Sequence, residues 1–230
     1  KIIIQKSNFL FASNQNTISW SLGKLHDTPE DFIKEFKTLK PCIWGSDAHD
    51  FNKLFEPDLE KYCWIKSDTT FEGLRQILYE PEERVYIGYE PEILELVRNN
   101  PTKYLKQLNV NPISSYKGKN GKWFNDTTIE FNNGLCSIIG NKGQGKSAIA
   151  DILGLVGNSH VAKNSSKDKL FSFLNRDKFC KRGFAENFVG TLTWHDNKEY
   201  SKNLNEDVDF NEIERIKYIP QKYFEDLCQH

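Results

Sequence analysis

The 230-residue sequence has no methionine and starts on Lys1, so it reads as a piece of a longer protein. It also breaks off at Cys228-Gln229-His230, where a helix is expected to begin. No apolar run approaches the ~20 residues needed to cross a bilayer, which excludes a helical membrane anchor in this stretch. Lys1-Ile2-Ile3-Ile4 is too short for a signal-peptide core. No C-x-x-C pair occurs, and the five cysteines (Cys42, Cys63, Cys136, Cys180, Cys228) are odd in number and scattered. A disulfide scaffold is therefore excluded, and reduced core thiols in a cytoplasmic protein are expected. Net charge is nearly absent, with 31 Lys and Arg against 32 Asp and Glu. No global field selects nucleic acid or an acidic surface, and the Lys and Arg residues are dispersed along the chain.

The sharpest feature present is Gly140-Asn141-Lys142-Gly143-Gln144-Gly145-Lys146-Ser147, which fits G-x-x-x-x-G-K-[ST]. Gly134 to Ile139 before it reads as a short buried strand. After it, Ile149, Ile152, Leu153 and Val156 fall at i, i+3, i+4 and i+7, the apolar stripe of a helix that Gly157 closes. Strand, glycine loop and helix are the context in which this pattern cradles phosphates. Glycines let backbone N–H groups curl around an anion, and the helix start adds its positive dipole end. Lys146 is then the cation for the β- and γ-phosphates, and the Ser147 hydroxyl is a Mg²⁺ ligand. Residues Gly140 to Ala148 are the expected nucleotide contacts.

Residues 1–50 read as the end of an α/β domain. Ile2-Ile3-Ile4 and Phe9-Leu10-Phe11 are strand-like, and Thr28-Pro29 starts a helix that Phe32, Ile33, Phe36 and Leu39 continue. Pro41 to Trp44 is an expected strand, with Gly45-Ser46-Asp47-Ala48-His49 at its C-terminal end. On an extended segment Asp47 and His49 would face the same way, as two ligands of a divalent metal. A solvated loop is the competing reading, and His26, just before a helix start, reads as a surface histidine.

Residues 51–111 read as a polar, helical connector punctuated by prolines. One short helix is carried by Phe71, Leu74, Ile77 and Leu78, another by Ile93, Leu94, Leu96 and Val97, with a boundary near Asn109–Pro112. Residues 112–230 are richer in strand signals. They include Ser114–Lys117, a Gly118–Gly121 hairpin, Thr127–Phe131, Phe188–Trp194, a turn at Asp196–Lys198, Tyr200–Leu204 and Arg215–Ile219. Asn158–Lys169 reads as a polar insertion, and Leu170 to Leu174 as a short helix.

Residues 112–230 resemble lobe I of an ABC/SMC-type P-loop ATPase head, with Leu135 to Asp151 carrying the strand, loop and helix. Tyr218-Ile219-Pro220-Gln221 resembles that family's glutamine loop. The resemblance gives Gln221 a catalytic role beside Lys146, reaching Mg²⁺ and the attacking water. Lys142 stands where many such heads have asparagine. The signature motif and the acidic Walker B pair do not occur in this sequence. Residues 1–50 resemble the C-terminal end of a PHP metallophosphoesterase domain, a TIM-like barrel whose last metal motif is G-[ST]-D-x-H, although the opening H-x-H is absent. That likeness makes Asp47 and His49 ligands of Zn²⁺ or Mn²⁺. The order of parts is similar to TrlF-like proteins, which fuse the two domains and are associated with bacterial anti-phage defence.

Together these readings imply an α/β chain that binds ATP and Mg²⁺ and is coupled to a metal-dependent phosphoesterase or nuclease. Its heads would pair as a homodimer or higher oligomer, with DNA or RNA as further partner and no membrane. A rival reading keeps the ATP switch and makes the PHP part a degenerate scaffold. A small-molecule kinase is disfavoured by the antiparallel strands.

Overall fold

Polar caps and prolines set the first elements. The computed structural model describes residues 1–160, 171–220 and Tyr223, and the chain divides into two units between Glu95 and Leu96. The first unit runs α1 (Ile2–Lys6), β1 (Leu10–Phe11), α2 (Gln15–Ser21), α3 (Pro29–Phe36), β2 (Cys42–Ile43), β3 (Tyr62–Ile65), α4 (Phe71–Gln76), α5 (Pro81–Arg84) and β4 (Val85–Gly88). The division falls within α6 (Glu92–Asn99). Asn14, Thr28 and Thr70 cap their helices by accepting from Thr17 N, Asp31 N and Gly73 N at 2.8, 3.3 and 3.0 Å, each satisfying an orphan amide of the first turn.

β1 and β2 pair in parallel, Leu10 opposite Cys42, with α2 and α3 between them in the chain. Trp20 meets Phe32 and Phe36 edge-on, both at 5.0 Å between centroids, and forms the small core beneath. β3 and β4 form a separate antiparallel pair, Tyr62 opposite Gly88 through Ile65 opposite Val85. Two two-stranded sheets are therefore found here, and a PHP-type barrel is not shown among the described residues. Two further expectations are corrected in this unit. Ile2–Ile4 is helical, because no neighbouring strand offers a ladder and Gln5 N donates instead to Lys1 O at 3.0 Å. The stretch expected to be a helical connector holds β3 and β4.

The second unit is built on one antiparallel sheet. Its elements are β5 (Leu105–Pro112), β6 (Thr127–Glu130), α7 (Lys146–Val156), β7 (Phe188–Trp194) and β8 (Glu199–Asn203), with strand order β6-β5-β7-β8. The boundary expected near Asn109–Pro112 falls inside β5, where Leu108 pairs with both Ile129 and Leu192. Leu108, Val110 and Leu192 are buried on the face that α7 covers. The helix comes very close there. A Cβ built on Gly190 would stand 2.8 Å from Val156 Cγ2 and 3.2 Å from Ile152 Cγ2. Alanine would ordinarily help a strand by up to ~1 kcal/mol. Here the collision outweighs that gain, and Gly190→Ala should lower stability by about 1–2 kcal/mol in urea unfolding.

α7 is buried on more than the single stripe expected from its periodicity, since Ala148, Asp151, Gly154 and Leu155 are enclosed as well as Ile152 and Val156. The expected short helix at Leu170–Leu174 is a series of turns from Phe171 onward, with Phe171 and Leu174 buried in the aromatic side of the core. Leu170 and residues 161–169 of the expected insertion lie outside the described residues, while Asn158 and Ser159 are buried. Ser114–Lys117 is not a strand, although Gly121 N donates to Gly118 O at 3.1 Å as the expected turn requires.

Two strand expectations fail for one shared reason. Gly134–Ile139 has the apolar character of a strand buried on both faces, Arg215–Ile219 the alternation of a half-buried one, and either kind needs a ladder partner. Neither segment is paired as a strand here, and Leu135 and Ile139 are 93% and 90% exposed.

Candidate nucleotide site

The glycine loop curls back on itself. Gly143 and Gly145 take φ of +87° and +88°, and Gly145 is the N-cap of α7 with no side-chain cap. A Cβ at either position would meet no atom within 4 Å. Backbone conformation, not crowding, is what demands glycine at these two positions. The turn delivers Lys146 Nζ to Gly140 O at 2.7 Å and Asn141 O at 2.9 Å. Gln144 Oε1 accepts from Asn141 N at 3.1 Å, and Gln144 N donates to Asn141 O at 3.3 Å. Loop carbonyls thus hold the ammonium, and a side-chain amide oxygen occupies one loop N–H.

Residues Asn141 to Gly145 and Ser147 are exposed, Lys146 is half-buried, and Ala148 is buried where the helix enters the core. No carboxylate occurs from residue 131 to residue 150, so Lys142, Lys146 and the start of α7 face solvent as a positively polarised cup. A triphosphate with Mg²⁺ fits this donor set, with amides and an ammonium for phosphate oxygens and the Ser147 hydroxyl for the metal.

The comparisons agree with this geometry. A family model described as "AAA domain" matches residues 117–225, the stretch that holds the loop and α7. Residues 117–225 carry an AAA domain. It is of the SMC/ABC-like P-loop ATPase kind and supports ATP binding and ATPase activity. No curated protein matches the chain.

Within the AAA domain, Asp151 is the feature that periodicity did not single out. It lies one turn beyond Ser147 on α7 and is fully buried. Its Oδ1 accepts from the Tyr218 hydroxyl at 2.6 Å, and its Oδ2 from Phe173 N and Leu174 N at 2.6 and 3.1 Å. Burial raises the Asp151 carboxyl above its ordinary range, against the pull of these hydrogen bonds. Burial and then the neighbouring carboxylate push the Tyr218 hydroxyl well above its ordinary range too. One carboxylate therefore ties the phosphate-loop helix to the turn after residue 170 and to the segment approaching Pro220. A lone acid inside an otherwise apolar helix was the available signal. Gln221 itself lies outside the described residues.

The metal pair of the first unit is not assembled. Asp47 and His49 are both exposed. Asp47 takes φ +49°, which breaks the extended run needed to aim both side chains one way. No group of three or more His, Cys, Asp and Glu that could hold a metal occurs among the described residues. These two residues do not by themselves fit Zn²⁺ or Mn²⁺. Other expectations divide. Cys42 is buried, whereas Cys136 is exposed, contrary to a core position, and Cys228 lies outside the described residues. No helix among the described residues is long and apolar enough to cross a membrane.

Proposed function

We propose that the chain is an ATP-binding and ATP-hydrolysing switch. Lys146 and the amides of Gly140–Ala148 hold the triphosphate, while Ser147 and Gln221 serve its Mg²⁺. The observation that carries this is the curled, carboxylate-free loop at the start of a buried helix, inside a segment that matches an AAA domain. Calorimetric titration of the chain with ATP and MgCl₂ tests it. Saturable binding with one site per chain is expected, and no heat at millimolar nucleotide would reject it.

The fuller reading couples this switch to a PHP-type phosphoesterase or nuclease acting on nucleic acid in anti-phage defence, with ATPase heads pairing as a homodimer or higher oligomer. The order of sequence motifs supports it, with residues 1–50 as the end of the PHP part, 51–111 as connector and 112–230 as ATPase lobe I. A second reading, an ATP-switched nucleic-acid-binding or assembly protein with a degenerate PHP scaffold, is favoured by the exposed Asp47 and His49 and the lack of a third ligand among the described residues. Elemental analysis of the complete protein separates them. Stoichiometric Zn or Mn that falls in Asp47→Ala supports the enzyme, and a metal-free protein supports the scaffold.

A further inference from the structure

The dispersed cations of the sequence are gathered by the fold in one place. Residues 115–124 contain Lys117, Lys119 and Lys122 and no acid, and residues 176–183 contain Arg176, Lys178, Lys181 and Arg182 against Asp177 alone. Some sixty residues of chain separate the two segments, and a small set of contacts joins them. Asn120 Nδ2 donates to Gly183 O at 2.7 Å. The approach depends on glycine, because Gly183 has φ +91° and a Cβ there would stand 2.3 Å from Asn120 Nδ2. The first segment is itself pinned, with the Tyr116 hydroxyl donating to Gly121 O at 2.8 Å and accepting from Asn120 N at 3.1 Å. Trp123 fixes the other side, edge-on to Phe179 and Phe184 at 5.5 and 6.2 Å, yet it remains 52% exposed.

Between the segments lies a cavity of about 620 Å³ lined by Lys117, Lys119 and Arg182 together with Tyr116, Asn120 and Glu186. A second cavity, of about 220 Å³, shares Tyr116 and Lys117 and adds Lys122. Lys117, Lys119, Lys122 and Arg182 are exposed, and none forms an ion pair among the described residues. Glu186, the one acid on the wall, is engaged by accepting from Gly183 N at 2.8 Å. A chain of net charge −1 thus gathers Lys117, Lys119, Lys122 and Arg182 against one wall carboxylate, Glu186, around two concavities with a half-exposed tryptophan nearby.

We propose that this surface binds single-stranded nucleic acid, with Lys117, Lys119 and Arg182 on successive phosphates and Trp123 as a stacking platform for a base. Cations tracking a phosphodiester beside an exposed aromatic ring are what sequence-tolerant single-strand binding needs. The concavity distinguishes a strand from a flat anionic lipid surface, which cannot enter it. This surface shares no residue with the phosphate loop, so it stands whether or not the loop binds ATP. It also gives the nucleic-acid partner of the fuller reading a location.

The test is fluorescence anisotropy of a labelled oligonucleotide of about 16 nucleotides, with the full chain and no nucleotide present. Wild type should bind with a log–log salt slope near −2, from about −0.7 per phosphate over three phosphates. Raising salt fourfold should then weaken binding by about 20-fold. The triple reversal K117E/K119E/R182E should bind at least ~10-fold more weakly and lose most of the slope, with its melting temperature unchanged because the three side chains are exposed and unpaired. Trp123→Ala should weaken binding about 10-fold and leave the slope in place. Lys146→Ala should bind the oligonucleotide as wild type does. Equal affinity in wild type and the triple reversal would overturn the proposal. So would tighter capture by phosphatidylserine vesicles than by the oligonucleotide.

Discussion

Lys146→Ala should lower ATP affinity by at least ~100-fold while leaving the melting temperature within about 2 °C of wild type. The ammonium is the one side-chain cation that the loop geometry aims into its own cup, 2.7 and 2.9 Å from two loop carbonyls. On a triphosphate it would exchange those neutral acceptors for charged ones, and a hydrogen bond between charged groups contributes about 1.5–3 kcal/mol. Two such bonds, to β- and γ-oxygens, amount to roughly 3 kcal/mol or more, which is the 100-fold. Stability should hardly move, because the loop is solvent-exposed and surface substitutions of this kind stay within about 0.5 kcal/mol. Calorimetry read beside a thermal melt separates the two quantities. Wild-type affinity in a folded Lys146→Ala protein would remove the loop from any account of the function.

Asp151→Ala should be the most destabilising single change in the AAA domain, by about 3–5 kcal/mol. The alanine strands three donors in the core, the Tyr218 hydroxyl and the amides of Phe173 and Leu174, and each unsatisfied donor costs about 1–3 kcal/mol. For a chain of this size that is a fall of about 10 °C in Tm. Asp151→Asn should behave differently, within about 1 kcal/mol of wild type. Its amide oxygen can accept from both backbone N–H groups, and its NH₂ can donate to the Tyr218 oxygen. The pH dependence has a definite sign. The folded carboxyl titrates above its ordinary value of 3.8. Its contribution to stability is therefore complete below that value and is lost as pH rises through the folded pKa. Acidic solution should thus spare this residue, the reverse of the usual carboxylate. Urea unfolding from about pH 4 to pH 7 should show Asp151→Asn gaining on wild type as pH increases, and wild type gaining on Asp151→Asn instead would mean the carboxylate is stabilised in the fold.

The legible parts of the chain were those whose cause is local. Thr28-Pro29 announced a helix that the Thr28 hydroxyl caps, and Asp196–Lys198 announced the turn between β7 and β8, where Asn197 takes φ +62°. The glycine loop was legible because positive φ at Gly143 and Gly145 is written directly in residue type. What failed depended on distant partners, although Thr127–Phe131 and Phe188–Trp194 were legible from alternation alone. Gly134–Ile139 has strand composition but no ladder, and Leu105–Pro112, read as the edge of a connector, is an inner strand of the sheet. The gathering of Lys117, Lys119 and Arg182 could not be seen either, because it rests on long-range contacts, the hydrogen bond from Asn120 Nδ2 to Gly183 O and the packing of Trp123 on Phe179 and Phe184. Asp47 and His49 show the opposite error. Their spacing implied a shared direction that a single left-handed residue removes.

The bare backbone of Leu135–Ile139 has a practical corollary for handling the molecule. Greasy, ladder-ready stretches left in water attract their own kind edge to edge, a recognised route to oligomers and fibrils. Preparations of this chain should therefore scatter more light as they are concentrated. A charge installed at Ile139 should act as a gatekeeper and keep them clear.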